Sequence, residues 1–345
     1  MQLPQEIRDE IYATVFRSTR LTFGERYLGR DGGMRVLSSA RGTMLALLHT
    51  CRRVKEEIGV SWLHYMLFHF ESPMVLMGKL AGIPITVREQ IRHVRVWWHI
   101  TLGWVDVQYA CYNAPEYLKL PPGLRLDTLT ILDDNPGRRC YDALELMVRY
   151  DDGWKELHYL SRTSAPLGYK YDKSSNGPPD PTRWNLMNQP QPSGWQNDLE
   201  HRDGQASHPS AMVYRATDNA TSGAVLDPGA RKVFIQAFTA PQDTRTFVEG
   251  EDEDAALMAP GEIEKELLVV VKRGAGVDYA MKEGSPHLPL DIRRDRPGEP
   301  FEWINPPNDR YPQEEREDYE VFDDDGIEDA YNHVDEYKWP RKTGW

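Results

Sequence analysis

Few residue groupings in this 345-residue chain have the types and spacing that chemistry requires. His64 and His69 could suggest a zinc pair, but they sit five apart across an expected helix–strand junction, so they cannot share one helix face. Burial or a local hydrogen bond is the simpler reading. LLVVVKRGAGVD places Gly274 and Gly276 after an apolar strand, as in half of a dinucleotide-binding turn. The third glycine is missing and no clear helix follows, which leaves a turn. Asp323, Asp324, Asp325 and Gly326 offer carboxylates and a glycine, yet not the alternating ligand positions of a calcium loop. A solvated acidic segment fits them better. Asn219-Ala220-Thr221 is a glycosylation sequon, which matters only in a secreted chain. The sequence contains no HExxH, GxSxG or GxxxxGK[ST]. We therefore expect no catalytic residues, no metal ligands and no cofactor, and a protein that is not an enzyme. An enzyme with an unfamiliar site would need a pocket of convergent polar groups with perturbed carboxylates or histidines.

Composition narrows the class further. Hydrophobic residues make up 40% of the chain, with 25 Pro and 26 Gly, so a packed core alternates with long irregular connections. No window approaches the roughly 18 apolar residues of a membrane helix, and no basic-then-apolar signal segment opens the chain. Cys51, Cys111 and Cys140 are too few and too far apart for a disulfide framework or a CxxC metal pair, and read as buried free thiols in a reducing compartment. The expected location is intracellular, cytoplasmic or nuclear. Of the formal net charge of −13, residues 309–336 hold thirteen Asp or Glu against Arg310 and Arg316, while residues 1–308 carry only −5. Neither nucleic acid, which needs a clustered basic surface, nor membrane is an expected partner. The Arg52-Arg53-Lys55 cluster is followed at once by Glu56 and Glu57 and reads as a solvated helix face.

These residues must be positioned by an alternation of helices and strands. Residues 4–16 read as a helix with Pro4 in its first turn and Ile7, Ile11 and Val15 recurring every four residues. Residues 20–39 read as a hairpin or ordered loop around Asp31-Gly32-Gly33. A second helical pattern starts near Thr43, with Leu47, Cys51, Val54 and Ile58 as its stripe. LFHFES (67–72), the end of 87–100, 124–134 and 154–161 read as strands, and 73–82 and 141–150 as helices. Strand cores near 94, 129 and 157 lie roughly 30 residues apart, which fits degenerate leucine-rich-repeat units or an ordinary small α/β sheet about equally. Residues 170–210 are rich in Pro, Asn, Gly and Ser and read as a linker or long loop. Residues 211–217, 232–238 and 265–274 are strand candidates that either complete the preceding sheet or build a β-containing extension over 211–305. An acidic tail, expected to be disordered or loosely docked, follows from 306. Trp97, Trp98, Trp154, Trp184, Trp195 and Trp303 read as core anchors, with a recognition surface as the alternative.

One pair of motifs speaks to function. Leu3-Pro4-Gln5-Glu6-Ile7-Arg8-Asp9-Glu10-Ile11-Tyr12 resembles the start of an F-box, and more narrowly the fungal F-box-like group that begins LPxEIRxxIY. That group continues with a helix of the type LLxxCRxVxxE, matched here by Leu47-Leu48-His49-Thr50-Cys51-Arg52-Arg53-Val54-Lys55-Glu56-Glu57. IRHVRVWW and GWKELHYLS are similar to the helix–strand units of the same proteins, so the resemblance covers about residues 3–165. It implies F-box-like helices over 1–72 and irregular helix–strand units over 73–169, which together with the β-containing extension and tail read from the pattern above make an α+β protein. It also implies a non-catalytic interaction protein, with Leu3, Pro4, Ile7, Ile11 and Tyr12 contacting the Skp adaptor of a cullin-RING ubiquitin ligase. Leu47, Leu48, Cys51 and Val54 would pack the helices together, and a later region would select a target that the sequence does not name. An F-box-derived structural or regulatory binding module without ligase association is the alternative. The Ile7–Ile11–Val15 stripe suits a docking surface or a private core, and the sequence is compatible with both.

Overall fold

A computed structural model describes residues 3–23, 25–27, 34–36, 47–48, 52–98, 120–133, 138–168, 190–219, 223–236, 257 and 259–282. The centre is an eight-stranded mixed sheet among those residues. Its strands are β1 (Arg20–Phe23), β4 (Leu67–Phe70), β5 (His93–Trp98), β6 (Leu126–Asp133), β7 (Trp154–Ser161), β8 (Ser210–Ala216), β9 (Arg231–Val233) and β10 (Leu267–Lys272). Strands β2 (Glu25–Tyr27) and β3 (Met34–Val36) form a separate antiparallel hairpin within the stretch expected to hold one. The helices are α1 (Gln5–Arg17), α2 (Arg52–Ile58), α3 (Pro73–Ala81), α4 (Ile85–Arg88), α5 (Arg138–Tyr150) and α6 (Ser193–Asp203).

Strand order across the large sheet is β1-β4-β5-β6-β7-β10-β8-β9. The first five run parallel and in chain order, each separated from the next by a crossover segment, as parallel pairing demands. Strand β10 then inserts antiparallel between β7 and β8, and β9 closes the edge. The strands of 211–272 thus complete the preceding sheet, and the extension shares its core. Within 170–210, Ser193–Asp203 is helical where the sequence suggested linker or loop. Of the strand expected over 232–238, Lys232 and Val233 lie in β9, Phe234–Gln236 are outside it, and 237–238 lie outside the described residues. The chain from 283 onward, including the acidic tail, and the ambiguous 104–119 lie outside the described residues.

Local chemistry explains the helix ends. Ser72 accepts a hydrogen bond from the Val75 amide at 3.2 Å and is followed by Pro73, so α3 begins with a cap and a pre-set first turn. Gly59, at φ +53°, ends α2 in the left-handed region that glycine tolerates. In α1, Glu6 in the first turn and Arg17 in the last both complement the helix dipole.

Side chains alternate across the strands and give the sheet two unlike faces. Phe68 and Phe70, Val94 and Val96, Leu129 and Ile131, Leu157 and Tyr159, and Val269 and Val271 join one large buried cluster. The same cluster takes Phe16 from α1, Ile58 from α2, Leu76 and Leu80 from α3, Leu144 and Val148 from α5, and Trp195 and Leu199 from α6, so the helices pack on that face. The opposite face carries a smaller apolar group, Trp97, Leu132, Leu160 and Leu268 with Ala216 and Val225. Trp97, Trp154 and Trp195 are all buried, as core anchors should be. No helix among the described residues is long and apolar enough to cross a membrane.

Candidate protein-docking surface

Helix α1 sits at the β1 edge of the sheet and shows two different sides. Ala13 and Phe16 are buried, and the Phe16 ring lies 6.4 Å from that of Trp62, centre to centre. The Arg17 guanidinium caps the Tyr65 ring at 5.1 Å. The other side is open: Leu3 is 53% exposed, Ile7 49%, Ile11 44% and Val15 36%. Residues four apart align on a helix of 3.6 residues per turn, so Ile7, Ile11 and Val15 form one stripe continued by Leu3, an apolar surface that the described chain leaves uncovered. Pro4 is exposed beside it. Tyr12 is turned elsewhere: it is half-buried, packs against the main core and hydrogen-bonds inward.

That inward bond belongs to a junction between α1 and α2. The Glu57 carboxylate accepts from Arg8 Nε at 3.0 Å, from the Tyr12 hydroxyl at 3.1 Å and from Arg53 Nε at 2.7 Å. A second Arg8 nitrogen reaches Glu57 Oε1 at 3.2 Å, which makes that pair two-pronged. The hydrogen bond from Arg53, joined by those from Tyr12 and Arg8 against some cost of burial, holds the Glu57 carboxyl below the usual carboxylate range. The Arg52-Arg53-Lys55 face is therefore more than solvated charge, since Arg53 helps to order the carboxylate that grips α1. Leu47, Leu48 and Val54 are partly buried and pack against the main core. Cys51 lies outside the described residues.

A second polar grouping occupies the sheet face away from the helices. Thr22, His69, Arg95, Thr130 and His158 stand abreast in register on β1, β4, β5, β6 and β7. His69, Arg95, Thr130 and His158 are all buried. Arg95 Nε donates to His69 Nδ1 at 2.9 Å, so the imidazole proton sits on Nε2, which donates to Glu71 Oε1 at 3.1 Å. Burial first, then the Arg95 charge, outweigh Glu71 and push the His69 pKa down to about 4. At neutral pH this imidazole is uncharged and both its nitrogens are engaged, so it positions the strands and has no lone pair left to act as a base. Three strands along the row, His158 Nε2 meets Glu156 Oε1 at 2.9 Å, and Lys272 reaches the same carboxylate at 3.2 Å. Burial alone would raise the Glu156 pKa, but His158 and Lys272 bring it below the ordinary value.

The third cluster joins the ends of α5, α6 and β10. Asp203 accepts from Arg273 at 2.7 and 2.8 Å and from the Gly274 amide at 2.9 Å. Arg273 and Arg202 both reach Asp152 Oδ1, at 3.1 and 2.8 Å. Both guanidiniums also lie over the buried Trp154 ring, 5.7 and 5.9 Å from its centre. Gly274, considered for a dinucleotide turn, instead lets the chain pass Ser207: a Cβ there would fall 1.8 Å from Ser207 Oγ. Gly276, at φ +77°, turns the chain in the left-handed region.

His64 and His69 are not brought together, since His64 pairs with Gln90 through Nε2 and Oε1 at 2.5 Å while His69 faces Arg95. Among the described residues no group of three or more His, Cys, Asp or Glu is arranged to hold a metal ion. Asp323–Gly326 lies outside the described residues. Sequence reasoning singled out the α1 stripe but missed its Glu57 anchor and the His69–Arg95 row. The row does leave a trace, because each parallel strand alternates apolar residues with one or two polar ones: His69, Arg95, Thr128 and Thr130, Glu156 and His158. Comparison with protein-family models, curated proteins and solved structures finds no match for this chain.

Proposed function

We propose that this protein is a non-catalytic interaction adaptor whose helix α1 docks on the Skp adaptor of a cullin-RING ubiquitin ligase, leaving the rest of the chain to select a target. The observation that carries this reading is the open stripe of Leu3, Ile7, Ile11 and Val15 on a helix whose opposite side is anchored in the core. Four aligned aliphatic side chains left in water are the pattern of a helix that lends its apolar face to a partner's groove. The parallel order of β5, β6 and β7 supports reading 73–169 as successive helix–strand units stacked on one another, the arrangement in which repeat-like proteins present a continuous surface.

The test is titration of the full chain with purified Skp adaptor by calorimetry. Wild type should bind, and the double variant Ile7→Asp/Ile11→Asp should bind roughly 1,000-fold more weakly, since losing two central interface anchors removes about 2 kcal/mol or more each. The melting temperature should stay within about 2 °C of wild type because exposed positions contribute little to folding. A wild-type chain that does not bind the adaptor would overturn the ligase reading and leave a binding module without ligase association.

A further inference from the structure

We propose that Glu57 is a positioning residue for the docking surface: it fixes the N-terminal half of α1, and with it Leu3, Ile7 and Ile11, in the orientation a partner recognises. This inference rests on the docking function proposed above. Its basis is the distribution of contacts along the helix. Every buried residue of α1 lies in its C-terminal half, at Ala13 and Phe16. From Gln5 to Tyr12 the only residues that are not exposed are Arg8 and Tyr12, and both hydrogen-bond to the Glu57 carboxylate. A helical segment of two turns is not stable in water by itself, so tertiary contacts at residues 8 and 12 are needed to hold it. Arg8 and Tyr12 are one turn apart and therefore share a side, which faces α2, while the Ile7–Ile11 side is rotated away from it. The grip is thus placed so that holding one side presents the other.

The same geometry unites two segments that the sequence shows 45–49 residues apart. In the LPxEIRxxIY block the Arg and Tyr are Arg8 and Tyr12, and in the CRxVxxE block the final Glu is Glu57. The Arg and Tyr of the first block and the final Glu of the second thus meet in one interaction, with Ile7 and Ile11 left for the partner. Arg53, one turn before Glu57 on α2, keeps the carboxylate oriented through its 2.7 Å bond.

Hydrogen–deuterium exchange on the full-length Glu57→Gln chain, paired with calorimetric titration of the Skp adaptor, tests this. Glu57→Gln keeps the volume but weakens the charge-assisted bonds, so amides 8–12 should exchange about 10-fold faster while those of β5–β7 keep their protection. Adaptor affinity should fall by a similar factor, and the swap Arg8→Glu/Glu57→Arg should restore both readings at least in part. Unchanged exchange at 8–12 would overturn the proposal, as would faster exchange with undiminished adaptor affinity. If the wild-type chain does not bind the adaptor while exchange at 8–12 still rises, the docking reading fails and the anchoring of α1 by Glu57 stands.

Discussion

Replacing Asp203 by Asn should destabilise the protein by about 3–5 kcal/mol, the range for removing one partner of a buried ion pair. The Asp203 side chain is fully buried and that of Arg273 is 3% exposed. Asparagine fits the space but removes the buried carboxylate that accepts two of the Arg273 bonds, leaving that guanidinium only the shared, less buried Asp152 as a countercharge. Asp152 cannot fully compensate, since its Oδ1 is already shared between Arg273 and Arg202, whose own like charge adds to the repulsion. For a chain of this size such a loss lowers the melting temperature by roughly 10 °C or more. The comparison variant is Glu10→Ala, which removes an exposed pairing with Arg17 at 3.9 Å and should change stability by less than about 0.5 kcal/mol. Thermal melts of both variants decide the matter: if Asp203→Asn costs no more than Glu10→Ala, the three-segment network does not hold the structure together.

Acidification from pH 6.5 to pH 4 should weaken the fold by about 3 kcal/mol through His69 alone, the equivalent of moving one imidazole from 6.5 unfolded to about 4 folded. The sign follows from proton counting. Between those two values the unfolded chain holds a proton on His69 that the folded chain refuses, so stability is fully present above pH 6.5 and is lost as pH falls toward 4. The folded ring refuses it first because it is buried, and then because the charges of Arg95, which already donates to Nδ1, and of Arg20 repel a second positive charge. Glu71 opposes this but does not outweigh burial and the two arginines. The carboxyls held low at Glu57, Glu156 and Asp203 release their contributions only below about pH 4.5, the ordinary carboxylate range, so the window above it reports on the histidine. Urea unfolding at pH 7.5, 6 and 5 should show a slope that His69→Gln removes. A variant with the same slope as wild type would show that the imidazole is not held neutral.

Much of this fold is legible as local pattern. The strand and helix runs at 4–16, 67–72, 73–82, 124–134, 141–150 and 154–161 correspond to α1, β4, α3, β6, α5 and β7 because the apolar spacing within each short run is a local signal. What the pattern left open is pairing. Nothing in LLVVVK says that β10 enters between β7 and β8, since antiparallel insertion from over a hundred residues away depends on which edge is free once β7 is in place. The helix at Ser193–Asp203 was hidden for a different reason. Its sequence is polar and carries no apolar stripe, and it is held by Trp195 and Leu199 in the core together with the Asp203 network at its end.

The candidate site divides along the same line. By itself the sequence determined that Ile7, Ile11 and Val15 share one side of a helix and that a second block ends on Glu57, but it grouped Tyr12 with the isoleucines as a partner contact. The shared side needs only the helical period. The tertiary structure alone decided which side meets the body: Phe16 and Ala13 insert beside Trp62, Glu57 draws Arg8 and Tyr12 inward, and the isoleucines are left facing water. An apolar stripe is equally favourable against the protein's own core or a partner's groove, because burial rewards area and not ownership. Its fate is set by the directional, charge-assisted bonds on the neighbouring side of the helix, whose partner lies more than 40 residues away.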